Sequence, residues 1–318
     1  MAKKKSTPFN ISVLRRLTFA SLTAIATGAT VLASAHAAKP KTGAEVLAQS
    51  PATDWRPLDP ENTLLMELPQ GQVLIELAPR FAPAHVANIR ALARGGFYDG
   101  LAIVRVQDNF VAQWGDPLGD DAAKAKPLSA GANAKIPAEF SIPLKSIPKA
   151  DFARLPDRDG WATLTGFVDG FPVAADPQKG RAWLAHCYAT VGAGRSDAVD
   201  SSTGAELYAV IGQAPRGLDL NITTVGRVLK GIEHLASLSR GGANMGFYDK
   251  PEQHHGIQRV RLLAQIPEAE RPALQVLRTE SKTWPLWLET RRNRGGWFVY
   301  NPQHVDLCGV SAPIRTKP

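Results

Sequence analysis

The chain has 318 residues, only two of them cysteines, and its 37 Lys and Arg exceed its 29 Asp and Glu by eight. Two widely separated cysteines are too few for a structural zinc site. The charge does not mark a nucleic-acid binder either: residues 1–37 hold five basic residues and no acidic one, leaving 32 against 29 in the remainder, and no RNA- or DNA-binding motif is present.

Residues 1–37 read as a secretory signal peptide. Lys3, Lys4, Lys5, Arg15 and Arg16 precede the weakly apolar run Leu17–Leu32, and Ala35-His36-Ala37 ends it with a small-x-small cleavage pattern. Thr18, Ser21, Thr23, Thr27, Gly28 and Thr30 dilute the run below the roughly 20 strongly apolar residues a spanning helix needs. Cleavage before Ala38, export to the periplasm and no lasting membrane insertion are therefore expected. Arg15-Arg16 sits in a poor twin-arginine context, which favours the general secretory route.

Residues 38–62 lack periodicity and read as a linker or arm. Leu64, Met66 and Leu68, the turn Pro69-Gln70-Gly71, and Val73, Ile75 and Leu77 make a β-hairpin by alternation. Pro83 opens a helix with Val86, Ile89 and Ala93 on one face, and Gly95-Gly96 stops it. Strands are expected at Ala102–Val106 and Phe110–Trp114. The stretch 118–180, rich in Pro, Gly and Asp, reads as irregular insertion, as does 189–203. Strand signals return at Trp183–Tyr188, Glu206–Ile211 and Thr223–Leu229, a short helix at Ile232–Leu238, and a strand at Ile257–Ala264. Many short strands with two helices indicate a mainly β, closed antiparallel barrel. Residues 266–318 form a small α/β appendage: a strand at Leu274–Arg278, then a helix capped by Ser281 and carrying Trp284, Leu288 and the solvated Arg291–Arg294 face. In an oxidising compartment Cys187 and Cys308 are expected to form one disulfide that ties this tail to the body; two buried thiols are the alternative.

Several segments carry chemistry as an ordered set. Gly71–Leu77 with Ala82-Pro83 and Val86-Ala87-Asn88, the turn Gly96–Gly100, the run Ile103–Pro117, Glu139-Phe140, Gly204–Tyr208 and Val225–Val228 together resemble the cyclophilins over about 63–265. The resemblance implies an eight-stranded antiparallel barrel closed by two helices, and cofactor-free peptidyl-prolyl cis/trans isomerisation, with no metal. Proline-containing peptides and unfolded exported proteins would be its substrates. It assigns Arg105 as the donor to the prolyl nitrogen, Phe110 as the floor of the proline pocket, and Gln113 as the group that bonds substrate backbone and holds Arg105. Tyr208 and Leu218 would be pocket walls, with Val111, Ile222 and Cys187 as further substrate-binding residues near the groove. Three positions depart from the family pattern: Val104 and Ile222 stand where histidine is usual, and Gly217 where tryptophan is.

The chemistry supports the assignment of Arg105. Twisting an X–Pro bond breaks amide resonance against a barrier of about 18–20 kcal/mol. A guanidinium is always charged and offers fixed donors to a nitrogen that becomes basic as it twists. Preorganised donors of this kind contribute about 3–4 kcal/mol in a water-poor site. The rival expectation is a binding or chaperone module of the same fold with little turnover, motivated by the two missing histidines and the missing tryptophan. His254-His255 reads as a loop, Ser201-Ser202-Thr203 as a turn, and Gly192–Arg195 lacks the lysine of a phosphate loop.

Overall fold

The computed structural model describes residues 41–242, 245–294 and 298–317. The expected signal peptide lies outside the described residues. No helix among the described residues is long and apolar enough to cross a membrane.

The hairpin of Thr63–Leu68 and Gly71–Leu77 pairs in the register that alternation predicts, Leu64 opposite Ile75 and Met66 opposite Val73. Those side chains enter the main core with Ile89, Leu92, Ile103 and Trp114. The hairpin belongs to an antiparallel sheet of nine assigned strands, in the order 255–256, 102–106, 111–115, 207–210, 190–193, 224–230, 71–77, 63–68, 259–262. The first and last are one chain segment. His255-Gly256 pairs with Ala102 and Ile103, and two residues later Arg259–Leu262 pairs with Leu64–Glu67. Counted as one interrupted strand, 255–262 joins both edges and makes the expected eight. The helix Pro83–Arg94 starts at proline and ends at Gly95, and Ile232–Ala236 is the second helix.

Three expectations are corrected. First, 118–180 is not irregular throughout: Ile142–Pro143, Ala153–Leu155, Leu164–Val168, Phe171–Asp176 and, just beyond it, Arg181–Leu184 form a five-stranded antiparallel sheet. Its middle strands are buried on both faces. Val168, Val173 and Leu184 pack with Phe81, while Phe167, Ala174 and Trp183 join a separate core with Trp55 and Trp284. Burial on both faces erases the period-two signal. Asp169-Gly170, at φ of 52° and 87°, is the Asp-Gly turn that joins two of these strands. The Trp183–Tyr188 strand correspondingly ends at Leu184. Second, Thr190–Ala193, inside the supposed insertion 189–203, is a barrel strand.

Third, the arm is structured and shares a sheet with the tail. Gly43–Ala48 is a helix with a Thr42/Glu45 capping box. Trp55–Pro57 pairs with Leu274–Leu277, which pairs in turn with Ile314–Thr316. The tail helix runs over Thr283–Arg292, but Ser281 does not cap it. Asp54 reaches over from the arm, accepting from the Thr283 backbone N–H at 3.1 Å and its hydroxyl at 2.6 Å. This arm-and-tail layer covers the outer face of the hairpin, where Leu65 and Leu74 join the second core. Buried between them, Glu76 accepts from Arg56 at 2.6 Å and Arg227 at 2.9 Å. Cys187 and Cys308 are joined by a disulfide with Cα atoms 4.8 Å apart.

Candidate active site

Cross-strand register builds the site. Arg105 lies opposite Gln113, Gln113 opposite Tyr208, and Tyr208 opposite Gly192, so three adjacent strands present these side chains on one face. The alternate residues Ala112, Trp114, Leu207 and Ala209 point into the core. A register shift between Ile103 and Arg105 makes Val104 the extra residue and turns Arg105 outward.

The guanidinium is held from several sides. Its Nη1 donates to Gln113 Oε1 at 3.0 Å, its Nε to the Met245 carbonyl at 2.7 Å, and its Nη2 to Gln107. Among the described residues, three of its five N–H donors are thus engaged, which leaves two for a substrate. Its central carbon sits 5.5 Å from the Phe110 ring centroid and 5.0 Å from that of Phe247. Burial pulls the Arg105 pKa below its ordinary value, and Glu206 opposes that shift. Gln113 is fixed at its other end too, because its amide nitrogen donates to Glu206 Oε1 at 2.7 Å.

Beside this cation lies an apolar dish. Val111, Tyr208 and Val210 form its buried floor, and the half-buried Phe110, Leu218 and Ile222 stand around it. The turn carrying Leu218 docks on the Phe110 turn: Gln213 N–H donates to Asn109 Oδ1 at 2.9 Å. Gly212 is required there, since a Cβ would lie 2.2 Å from the Asn109 carbonyl carbon. Tyr208 is 3% exposed, and its hydroxyl is 2.8 Å from His186 Nε2. Burial pushes its phenol pKa up, with the Asp219 charge adding to the shift, so the hydroxyl stays protonated.

Arg105, Phe110, Val111, Gln113, Tyr208, Leu218 and Ile222 therefore come together, with Tyr208 in the floor where a wall was expected and Phe110 at the side where the floor was expected. Cys187 does not. Its sulfur is committed to Cys308, and its side chain packs with Trp183 and Leu307 in the second core. The sequence reading also missed Phe247, Met245, Gln107, Glu206 and His186. For Phe247 a local signal existed, because Gly246-Phe247-Tyr248-Asp249 repeats the tetrapeptide Gly96-Phe97-Tyr98-Asp99. No group of three or more His, Cys, Asp or Glu able to hold a metal occurs among the described residues.

Comparison with known proteins places this geometry. Residues 63–262 match the family model described as cyclophilin type peptidyl-prolyl cis-trans isomerase/CLD. A probable peptidyl-prolyl cis-trans isomerase of Brucella suis is 46% identical over 90 residues, which are 26% of this chain and 45% of that protein. Peptidyl-prolyl cis-trans isomerase B of Bacillus subtilis is 50% identical over 49 residues, 15% of this chain and 34% of that protein. The chain thus matches less than half the length of these curated relatives. Among solved structures, cyclophilin AquaCyp293 from Hirschia baltica superposes with a TM-score of 0.66 at 25% identity, covering 87% of this chain and 99% of that one.

Proposed function

The chain belongs to the cyclophilin-type peptidyl-prolyl cis/trans isomerase family, and from that premise we propose that it catalyses isomerisation of X–Pro bonds in exported, folding polypeptides. One observation carries the reading: Arg105 is fixed by Gln113 and flanked by two aromatic rings at the edge of an apolar dish. The dish takes the prolyl ring and excludes water from one side of it. The remaining guanidinium N–H donors meet the prolyl nitrogen as it loses resonance, so the twisted state is stabilised more than either planar isomer. No nucleophile, metal or cofactor takes part. Uncatalysed X–Pro isomerisation takes tens to hundreds of seconds, which makes such a catalyst useful to any folding chain. Export rests on the signal-like residues 1–37, and we take the periplasm as the site of action from export together with the fold.

NMR exchange spectroscopy on a short Ala-Pro peptide tests the reading. Wild-type protein is expected to accelerate exchange, and Arg105→Ala to lose most of that acceleration while remaining folded. Val104, Gly217 and Ile222 replace the family's usual polar and aromatic groups, and this favours a second reading as a peptide-binding module. Saturable binding of the peptide without faster exchange would select it.

A further inference from the structure

The polar chain behind the dish links it to the five-stranded insertion. The last insertion strand, Arg181–Leu184, continues through Ala185 to His186, whose ring is fully buried. Its Nδ1 is 3.0 Å from Asp219 Oδ1 and its Nε2 is 2.8 Å from the Tyr208 hydroxyl. The imidazole thus bridges the Asp219 carboxylate and the Tyr208 hydroxyl through its two ring nitrogens. Asp219 Oδ1 also accepts the His186 backbone N–H at 2.9 Å. Its Oδ2 accepts from Arg216 Nε at 2.9 Å and Trp183 Nε1 at 3.1 Å. The far end of Arg216 grips Asp159 with both Nη atoms, at 3.0 and 3.1 Å.

Two parts of the dish hang on this chain. Tyr208 is one, and its ring crosses directly over the bare backbone of Gly192, where a Cβ would lie 2.2 Å from its hydroxyl oxygen. The ring is thereby confined against the sheet, and its tip is set by His186. Leu218 is the other, carried on the turn between Arg216 and Asp219, whose side chains are tied to Asp159, Trp183 and His186. We propose that His186 is a positioning residue for the prolyl dish, acting through Tyr208 and, by way of Asp219, through Leu218, and that the insertion is the scaffold that gives the dish its shape. This inference rests on the isomerase reading above.

The test compares His186→Leu, Tyr208→Phe and the double variant by peptide exchange kinetics, with thermal unfolding of each in parallel. His186→Leu leaves the buried Tyr208 hydroxyl without its acceptor, and KM is expected to rise on the order of tenfold with kcat altered much less. Tyr208→Phe removes the same contact from the other side and is expected to raise KM as well, and the double variant is expected to be no worse than His186→Leu, because both changes break one bond. Should His186→Leu fail to fold, Asp219→Asn keeps the volume while weakening the acceptor behind the imidazole, and is read in the same way. An unchanged KM beside a lowered melting temperature would make His186 a core buttress only, and a double variant in which the two losses multiply would also overturn the proposal. If wild-type protein does not accelerate exchange, the peptide dissociation constant from NMR titration replaces KM in the same comparison. Failure of the isomerase reading then stays distinct from failure of the positioning role.

Discussion

Arg105 and Phe247 meet twice, through a backbone bridge between their chain segments and through the guanidinium lying 5.0 Å from the ring centroid. Phe247 remains 36% exposed, so it shields the cation on one side without being part of the core. A cation–π contact at such a site contributes about 0.5–1 kcal/mol. Phe247→Ala is therefore expected to lower kcat/KM for a short prolyl peptide about two- to fivefold with little change in melting temperature. An activity equal to wild type would show that Phe110, Gln113 and the Met245 carbonyl hold the guanidinium unaided.

Arg105→Lys keeps the charge but loses the planar fork, and an ammonium cannot bond Gln113, Gln107 and the Met245 carbonyl while also facing a substrate. A fall in kcat of about 10²–10³ is expected, near that for loss of a single preorganised donor. Exchange spectroscopy checks it, and a lysine variant within about threefold of wild type would mean that charge alone suffices.

Glu206 predicts a pH dependence of stability. Burial pushes its carboxyl above the usual value against the hydrogen bond from Gln113, with Asp120 adding to the rise and Arg105 opposing it. The folded state therefore holds this proton more tightly than the unfolded chain does. The cost of ionisation is absent below the unfolded value, about 4.3, and is complete once pH exceeds the raised folded value. Glu206→Gln is expected to gain in melting temperature on wild type as pH rises from 4 to 7. A difference between the two proteins that does not change with pH would rule this out.

Reduction of the disulfide removes a closure across 121 residues. The expected loss is about 2–5 kcal/mol of unfolding free energy, measured by urea unfolding with and without reductant. The Cys187→Ser/Cys308→Ser variant should match the reduced protein.

The barrel and the dish were legible because their signals are local or regularly spaced. The 63–77 hairpin alternates, Pro83 and Gly95 bracket a helix, and Arg105 and Gln113 sit on two neighbouring strands with Phe110 on the short turn that joins them. What was hidden depends on layers. The insertion strands are sandwiched between two cores and show no alternation, and Thr190–Ala193 is built of small residues that carry no pattern. His186 and Phe247 come to the site from 81 and 142 positions beyond Arg105, and only the closed sheet brings them there. Asp169-Gly170 was a turn signal in plain view, outweighed by the Pro- and Gly-rich composition around it.

The segment 255–262, which pairs with one sheet edge and then the other, bears on self-association. An unfolded polypeptide near an open edge can add itself as another strand, and the chain that should be released becomes a seed for aggregation. Here, among the described residues, strand 102–106 is paired by 255–256 and by the bridge from Phe247, and strand 63–68 by 259–262, so neither is left as an open row of donors and acceptors.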